Sequence, residues 1–278
     1  MRVLVTGGGG FIGSATVAEI EGRGWDAVSF DRVSGDDILD ADRLVAATVG
    51  VDAVIHLAGV LGTHELFDTP RMAVDANVHG TLNVLEACRV NGCGYVGITM
   101  PQVFPSIYTA TKTCATRLAS AYHHSHGLPV SHVRAFNAFG PGQAHGPGHP
   151  QKIVPTFAVE AWAGRPIPVW GDGTQTVDLI DVWALARLLV DAVGHGDDVV
   201  FDGGSGVALT VNRVAEAVLE LTNSTAGIGY LPMRRGEVPT HIVAEGEGWD
   251  RLNWRPTLDW DALAFTVREY RSHPLAQP

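Results

Sequence analysis

Thirteen residues at the start of the chain constrain its fold more than any others: Met1-Arg2-Val3-Leu4-Val5-Thr6-Gly7-Gly8-Gly9-Gly10-Phe11-Ile12-Gly13. Val3 to Val5 is an apolar run suited to a buried strand, and an apolar helical pattern begins directly after the glycines. Strand, glycine turn and helix in that order form a cradle for a dinucleotide. Gly7 permits the tight turn, Gly10 lets backbone approach a pyrophosphate, and Gly13 lets the helix pack close to the strand. The first helical N–H groups, at Phe11 and Ile12, then meet the phosphates with a partial positive charge. An ordinary glycine-rich turn is the plainer reading, and the flanking strand and helix argue against it.

Strand-like and helix-like segments go on alternating through the first half. Strands are predicted over 27–30, 51–57, 95–99 and 130–135, and helices over 14–23, 44–49, 70–90 and 109–124. Residues 34–43 read as a polar connection with little room for a helix. After Gly140 the texture changes, with Pro, Gly and His clustered through Pro150. Beyond it come a helix and short strand within 151–171, helices over 183–194, 211–221 and 259–270, and a strand over 198–202. The expected architecture is α/β: a Rossmann-type doubly wound parallel sheet over 1–150, with segments around 172–206 returning to it. A smaller C-terminal α/β substrate lobe takes the remainder, 151–278.

A net charge of −11 argues against sequence-independent nucleic-acid binding, which relies on Lys and Arg to neutralise phosphates. Hydrophobic content of 46% with 18% charged residues suits a well-cored soluble chain. No apolar run is long enough to span a membrane, and the chain opens directly on a strand rather than a signal peptide. Cys88, Cys93 and Cys114 lack metal-ligand spacing, so free thiols in a reducing cytoplasm are expected. His123, His124 and His126 cluster without carboxylate or Cys partners and read as a polar helix end rather than a metal site.

Two features turn the cradle towards chemistry. Asp31 ends the second strand, where a carboxylate accepts hydrogen bonds from an adenosine ribose and repels a 2′-phosphate. That favours NAD, with NADP as the alternative because Arg32 is adjacent. Tyr108 and Lys112 stand four apart at the start of a helix and share one face. An ammonium beside a phenol favours the phenolate, so Tyr108 is a candidate general base towards a sugar hydroxyl.

These features, with others in order along nearly the whole chain, resemble an extended short-chain dehydrogenase/reductase of the NAD-dependent epimerase/dehydratase family, whose members act on nucleotide sugars. The resemblance covers residues 6–13, and Asp37-Ile38, similar to the family's adenine-contacting pair. It includes His56-Leu57-Ala58-Gly59, Asn77-Val78-His79-Gly80-Thr81, Tyr108 to Lys112, and residues 134–141. Gly171-Asp172-Gly173-Thr174-Gln175, Arg234-Arg235-Gly236-Glu237 and Trp254-Arg255-Pro256 complete it. It implies NAD bound by Gly7 to Gly13, Asp31, Arg32, Asp37, Ile38, Leu57, Ala58, Gly59, Tyr108 and Lys112. It further implies that Asn137 touches the sugar or its phosphate, that Gln175 lies on the substrate side, that Arg234 pairs with the nucleotide diphosphate, and that Glu237 accepts from the nucleotide's ribose. A homodimer built on the helices at 70–90 and 109–124 is implied too.

The sugar side departs from the family pattern. The family places a Ser or Thr four residues before the aromatic corresponding to Phe104, and here that position is Met100, a thioether that cannot donate a hydrogen bond. Thr99 is one residue away and needs a local bulge to reach the same place. Pro101-Gln102 stand where a dehydratase carries an Asp-Glu pair. The segment from Met100 to Tyr108 is short, and Val177 precedes Asp178 where many relatives have an Arg. The expected activity is a 4-epimerase-like transient oxidation of a UDP- or dTDP-sugar. A dehydratase or reductase with an atypical proton relay, or a binding protein without turnover, are the alternatives.

Overall fold

The computed structural model describes residues 1–101 and 103–277. In chain order the elements are β1 (Arg2–Thr6), α1 (Phe11–Gly22), β2 (Asp26–Phe30), α2 (Ala41–Ala47), β3 (Ala53–His56), α3 (Pro70–Val74), α4 (Gly80–Asn91), β4 (Gly94–Thr99), α5 (Ile107–His126) and β5 (Val130–Ala135). Then come β6 (Asn137–Phe139), α6 (Ile153–Trp162), β7 (Ile167–Trp170), β8 (Thr176–Val177), β9 (Leu179–Asp181), α7 (Val182–Asp191) and β10 (Asp197–Gly203). The last are β11 (Leu209–Thr210), α8 (Val211–Thr222), β12 (Ile228–Leu231) and α9 (Trp260–Glu269).

These elements form two compact units, the first made of 1–135, 182–203 and 246–255 and the second of the remaining described residues. The expected boundary at 150 therefore moves back to Ala135–Phe136. The cause is local: β6 pairs with β9, Asn137 opposite Leu179, and so belongs to the second unit.

The first unit is built on a six-stranded sheet in the order β10-β5-β4-β3-β1-β2, parallel throughout. On one face Leu44 of α2, Val84 and Leu85 of α4 and Ala119 of α5 share a core with Leu4, Val54 and Tyr95 of the strands. On the other, Ala15 of α1 packs with Val182 and Ala186 of α7. Helices on both faces of a parallel sheet are the doubly wound arrangement expected from the sequence. Helix α5 starts two residues before its predicted start because Ser106 caps it in a reciprocal box with Thr109. The predicted 70–90 helix runs through Asn91 but is interrupted by a π-helical turn at Asp75–His79.

The second unit gathers α6, α8 and α9 with β7 and β9 around Phe157, Ile167, Leu179, Val214 and Leu263. Its strands pair only in twos: β6 with β9, β7 with β12, and β8 with β11. Asp178, fully buried, pins the loops by accepting from Ser205 N and Oγ (both 2.6 Å), Gly206 N (2.9 Å) and Ala244 N (2.9 Å).

Inside the first unit a run of buried polar side chains ties β1, β3 and α4 together. Thr6 Oγ1 accepts from the amides of Leu57 and Ala58 (3.2 Å each), so its own proton goes to His56 Nδ1 at 2.7 Å. His56 Nε2 then carries the ring hydrogen and donates to Thr81 Oγ1 at 3.0 Å, and Thr81 donates to the carbonyl of Asn77 at 2.8 Å. Burial, with a smaller effect from the Lys112 ammonium, pulls the His56 pKa down to about 3.

Two measurements check this packing. A Cβ at position 13 would fall within the Gly7 carbonyl, so Gly13→Ala is expected to lower unfolding stability by at least ~2 kcal/mol in urea melts. His56 is neutral in the fold and takes up a proton on unfolding below about pH 6.5, so its contribution is complete above that pH and shrinks as pH falls towards 3. Between pH 6.5 and 5 the native chain is expected to lose about 2 kcal/mol more than His56→Gln.

Candidate active site

The glycine turn is held from three sides. Gly7 sits at φ +72°, its N–H donates to Phe30 O (2.9 Å), and a Cβ there would meet Ala58 N at 2.9 Å. Gly10 donates to Gly7 O at 3.0 Å and begins α1 with no side-chain cap. The first N–H groups of α1 thus keep their donors for an anion, while Phe11 and Ile12 pack their side chains beside Ala15, Val182 and Ala186. Gly9 N donates to Asp31 Oδ2 (3.0 Å) and Val33 N to Asp31 Oδ1 (2.9 Å). The carboxylate both caps its own turn and clamps the glycines, and its further lone pairs are left for a ribose. Arg32 beside it is exposed.

The other residues expected at this cofactor are each held by a neighbour, and Leu57 and Ala58 pack against Gly7. Asp37 Oδ1 accepts from Leu39 N (2.9 Å), and Ile38 is buried against Gly80, its carbonyl held by Asn83 Nδ2 (3.0 Å). Leu57 and Ala58 are fixed by Thr6. Gly59 has no Cβ because Asn77 Oδ1 occupies the space, where it accepts from Val60 N at 2.9 Å. The uncapped helix start, the glycines and Asp31 together fit a dinucleotide's pyrophosphate and ribose.

Tyr108 and Lys112 are half-buried on one face of α5. Among the described residues neither the phenol nor the ammonium has a hydrogen-bond partner. Burial pushes the Tyr108 phenol above its ordinary value and pulls Lys112 down to about 8. The phenol lowered by its neighbour, expected from the spacing, is thus not found here: burial raises it instead.

Thr99 is engaged with Thr116 of α5. Strand β4 stays in register through Thr99, opposite Arg134, with no bulge, and the Thr99 hydroxyl hydrogen-bonds to Thr116 Oγ1 at 2.9 Å. Thr116 is two turns further along α5, about 12 Å from Tyr108 along the axis. Pro101 is half-buried, and Gln102 lies outside the described residues. His123 and His124 bond the carbonyls of Leu128 and Ser120 (2.9 Å each) at the end of α5.

In the second unit, Arg234 and Glu237 are brought together. Arg234 Nε donates to Glu237 Oε2 at 2.9 Å, and the guanidinium lies 4.7 Å from the centroid of Trp170. Trp170 is a residue that the sequence reading missed; its signal was an aromatic just before the Gly171-Asp172-Gly173 turn. Gln175 Nε2 donates to Trp170 O (2.7 Å), while Gln175 Oε1 and Asn137 Oδ1 are buried without a partner among the described residues. Two unpaired buried acceptors call for a ligand with donors. Arg235 is exposed, and Val177 packs on the apolar core.

Comparison with known proteins finds relatives along most of the chain. The chain is 29% identical to UDP-glucuronate 4-epimerase of Thermodesulfobacterium geofontis, across 78% of this chain and 71% of that one. It is 29% identical to dTDP-glucose 4,6-dehydratase of Streptomyces niveus, across 100% and 96%. Epimerase Mth375 from Methanothermobacter thermautotrophicus superposes with a TM-score of 0.88 at 26% identity, covering 97% of this chain and 91% of that one. Residues 3–201 match the family described as "NAD dependent epimerase/dehydratase", and the chain belongs to that family.

Proposed function

We propose that this chain is an NAD-dependent nucleotide-sugar 4-epimerase whose general base is Tyr108. The observation that carries the reading is the unspent pair on α5: a phenol and an ammonium one turn apart, half-buried, with no hydrogen-bond partners among the described residues. A buried polar group left open in this way is held for a ligand. NAD, when bound, supplies the acceptor and then the donor of the sugar's hydride. Tyr108 takes the proton of the sugar hydroxyl as that carbon is oxidised and returns it on reduction. Lys112, with its proton held less tightly than a solvated lysine's, hydrogen-bonds the nicotinamide ribose and favours the phenolate.

The substrate roles follow the chemistry of the second unit. Arg234 exchanges part of its bond with Glu237 for the diphosphate, a fork suited to two oxygens. Glu237 accepts from the ribose, and Asn137 and Gln175 accept from donors of the sugar nucleotide. Thr99 has no part in this reading, because its hydroxyl is bonded at Thr116. A dehydratase is the second reading, favoured by the full-length match to the Streptomyces niveus protein; its product is a 6-deoxy sugar, where the epimerase gives an isomer. We further infer a homodimer through α3 and α5, where Met72 and Val74 are exposed (48% and 39%) beside small exposed residues Ala110, Cys114 and Ala121. The free thiols of Cys88, Cys93 and Cys114 suit the cytoplasm.

With a panel of UDP- and dTDP-sugars, Tyr108→Phe is expected to lower kcat by roughly 10²- to 10⁴-fold while purifying with as much NAD as the native protein. Full turnover by that variant would refute the assignment of the base. Arg234→Ala is expected to raise KM about tenfold with kcat within about threefold, as loss of uniform binding requires.

A further inference from the structure

The polar run that begins at Thr6 does not stop at Asn77. The Asn77 amide donates through Nδ2 to Val60 O (3.0 Å) and to Thr111 Oγ1 (3.1 Å), and Thr111 donates to the carbonyl of Tyr108 at 3.0 Å. We propose that His56 is a positioning residue for Tyr108, acting through Thr81, Asn77 and Thr111 to hold the first turn of α5 in register with the glycine turn. This rests on the reading of Tyr108 as the base.

Every member is buried: Thr6 at 0%, Thr81 at 1%, His56 and Asn77 at 2%, Thr111 at 5% exposed. The two halves of the run meet at Asn77, whose backbone carbonyl accepts from Thr81 and whose side-chain amide donates to Thr111. Stability alone does not ask for five buried polar side chains here, since same-shaped apolar groups replace a satisfied pair at little cost. What the polar run adds is direction. The amides of Leu57 and Ala58 fix the Thr6 proton, which fixes the His56 tautomer, which fixes the Thr81 hydroxyl. At the far end the Asn77 amide, held at both its ends by Val60, fixes the Thr111 hydroxyl. From Thr6 to the Asn77 carbonyl each bond is aligned with the next, and such chains strengthen one another.

The backbone is shaped to admit this run. The π-helical turn at Asp75–His79 inserts one extra residue and aims Asn77 off the ordinary helix face, and π-bulges cluster at functional sites. Gly59 yields the space that Asn77 Oδ1 fills. One end of the run lies on the Leu57–Ala58 segment that packs against Gly7, and the other on Tyr108 itself. The cradle and the base are joined by hydrogen bonds whose lengths leave little play.

The test uses the intact NAD-containing protein. Thr111→Val keeps the shape and removes the hydroxyl; it is expected to lower kcat about tenfold, with KM and retained NAD unchanged. The acid limb of the kcat profile should move to higher pH as the loosened phenol loses the Lys112 charge, and Thr111→Ser should restore at least half of kcat. Native kcat and pH profile in Thr111→Val, or equal loss in the Ser variant, would overturn the proposal. Independently, nitrogen NMR of labelled histidines should show His56 neutral at pH 5 with its proton on Nε2. An Nδ1–H tautomer or an imidazolium at that pH would also overturn it. The tautomer is read whether or not any sugar is converted, so failure here and failure of Tyr108 as base are separate results.

Discussion

The contact between Gly13 and the Gly7 carbonyl sets the position of everything else in the first unit. Because no side chain intervenes, the first turn of α1 lies on the turn that follows β1, and its uncapped N–H groups sit where a phosphate can reach them. The same Gly7 packs against Ala58, so the segment after β3 is fixed by the turn as well as by Thr6. Gly59 then accommodates Asn77, and through it α4 and α5 take their places. Substitution at any of these glycines places a Cβ against backbone or a buried amide, so the close approaches stand or fall together.

Within the second unit the candidate substrate residues gather around one stacked cation, Arg234. Arg234 is held over Trp170 by Glu237, and Gln175 is held by the carbonyl of that same tryptophan. The guanidinium and the amide are thereby both held at Trp170, and the carboxylate at the guanidinium. Val177 joins the apolar core. The alignment with the Streptomyces niveus dehydratase runs over 332 positions, more than the 278 residues of this chain. The shortening is in keeping with the abbreviated segment between Met100 and Tyr108.

The sheet, the cradle and the α5 pair were legible in the sequence because each depends on local signals: apolar runs, glycines at a spacing of three, and two residues four apart. What was not legible depends on three-dimensional context. The boundary at Ala135 is set by pairing between β6 and β9, more than forty residues apart. Thr99 needs a local bulge to take the place of Met100, and the strand register is unbroken, with the Thr99 hydroxyl bonded at Thr116. The spacing of Tyr108 and Lys112 predicted a lowered phenol; burial, which spacing does not reveal, raises the phenol and lowers the ammonium. His56 and Asn77 were visible only as members of motifs, since the hydrogen bonds that give them a role connect β1, β3, α4 and α5.

The central claim is that a sugar carbon is oxidised and then reduced again within one active site. The most direct test supplies the NAD-retaining protein with UDP- and dTDP-sugars deuterated at C4 and reads the products by NMR. The account predicts the 4-epimer with deuterium still at C4 and no hydrogen drawn from solvent. A 6-deoxy product, or retained NAD with every sugar unchanged, would contradict it.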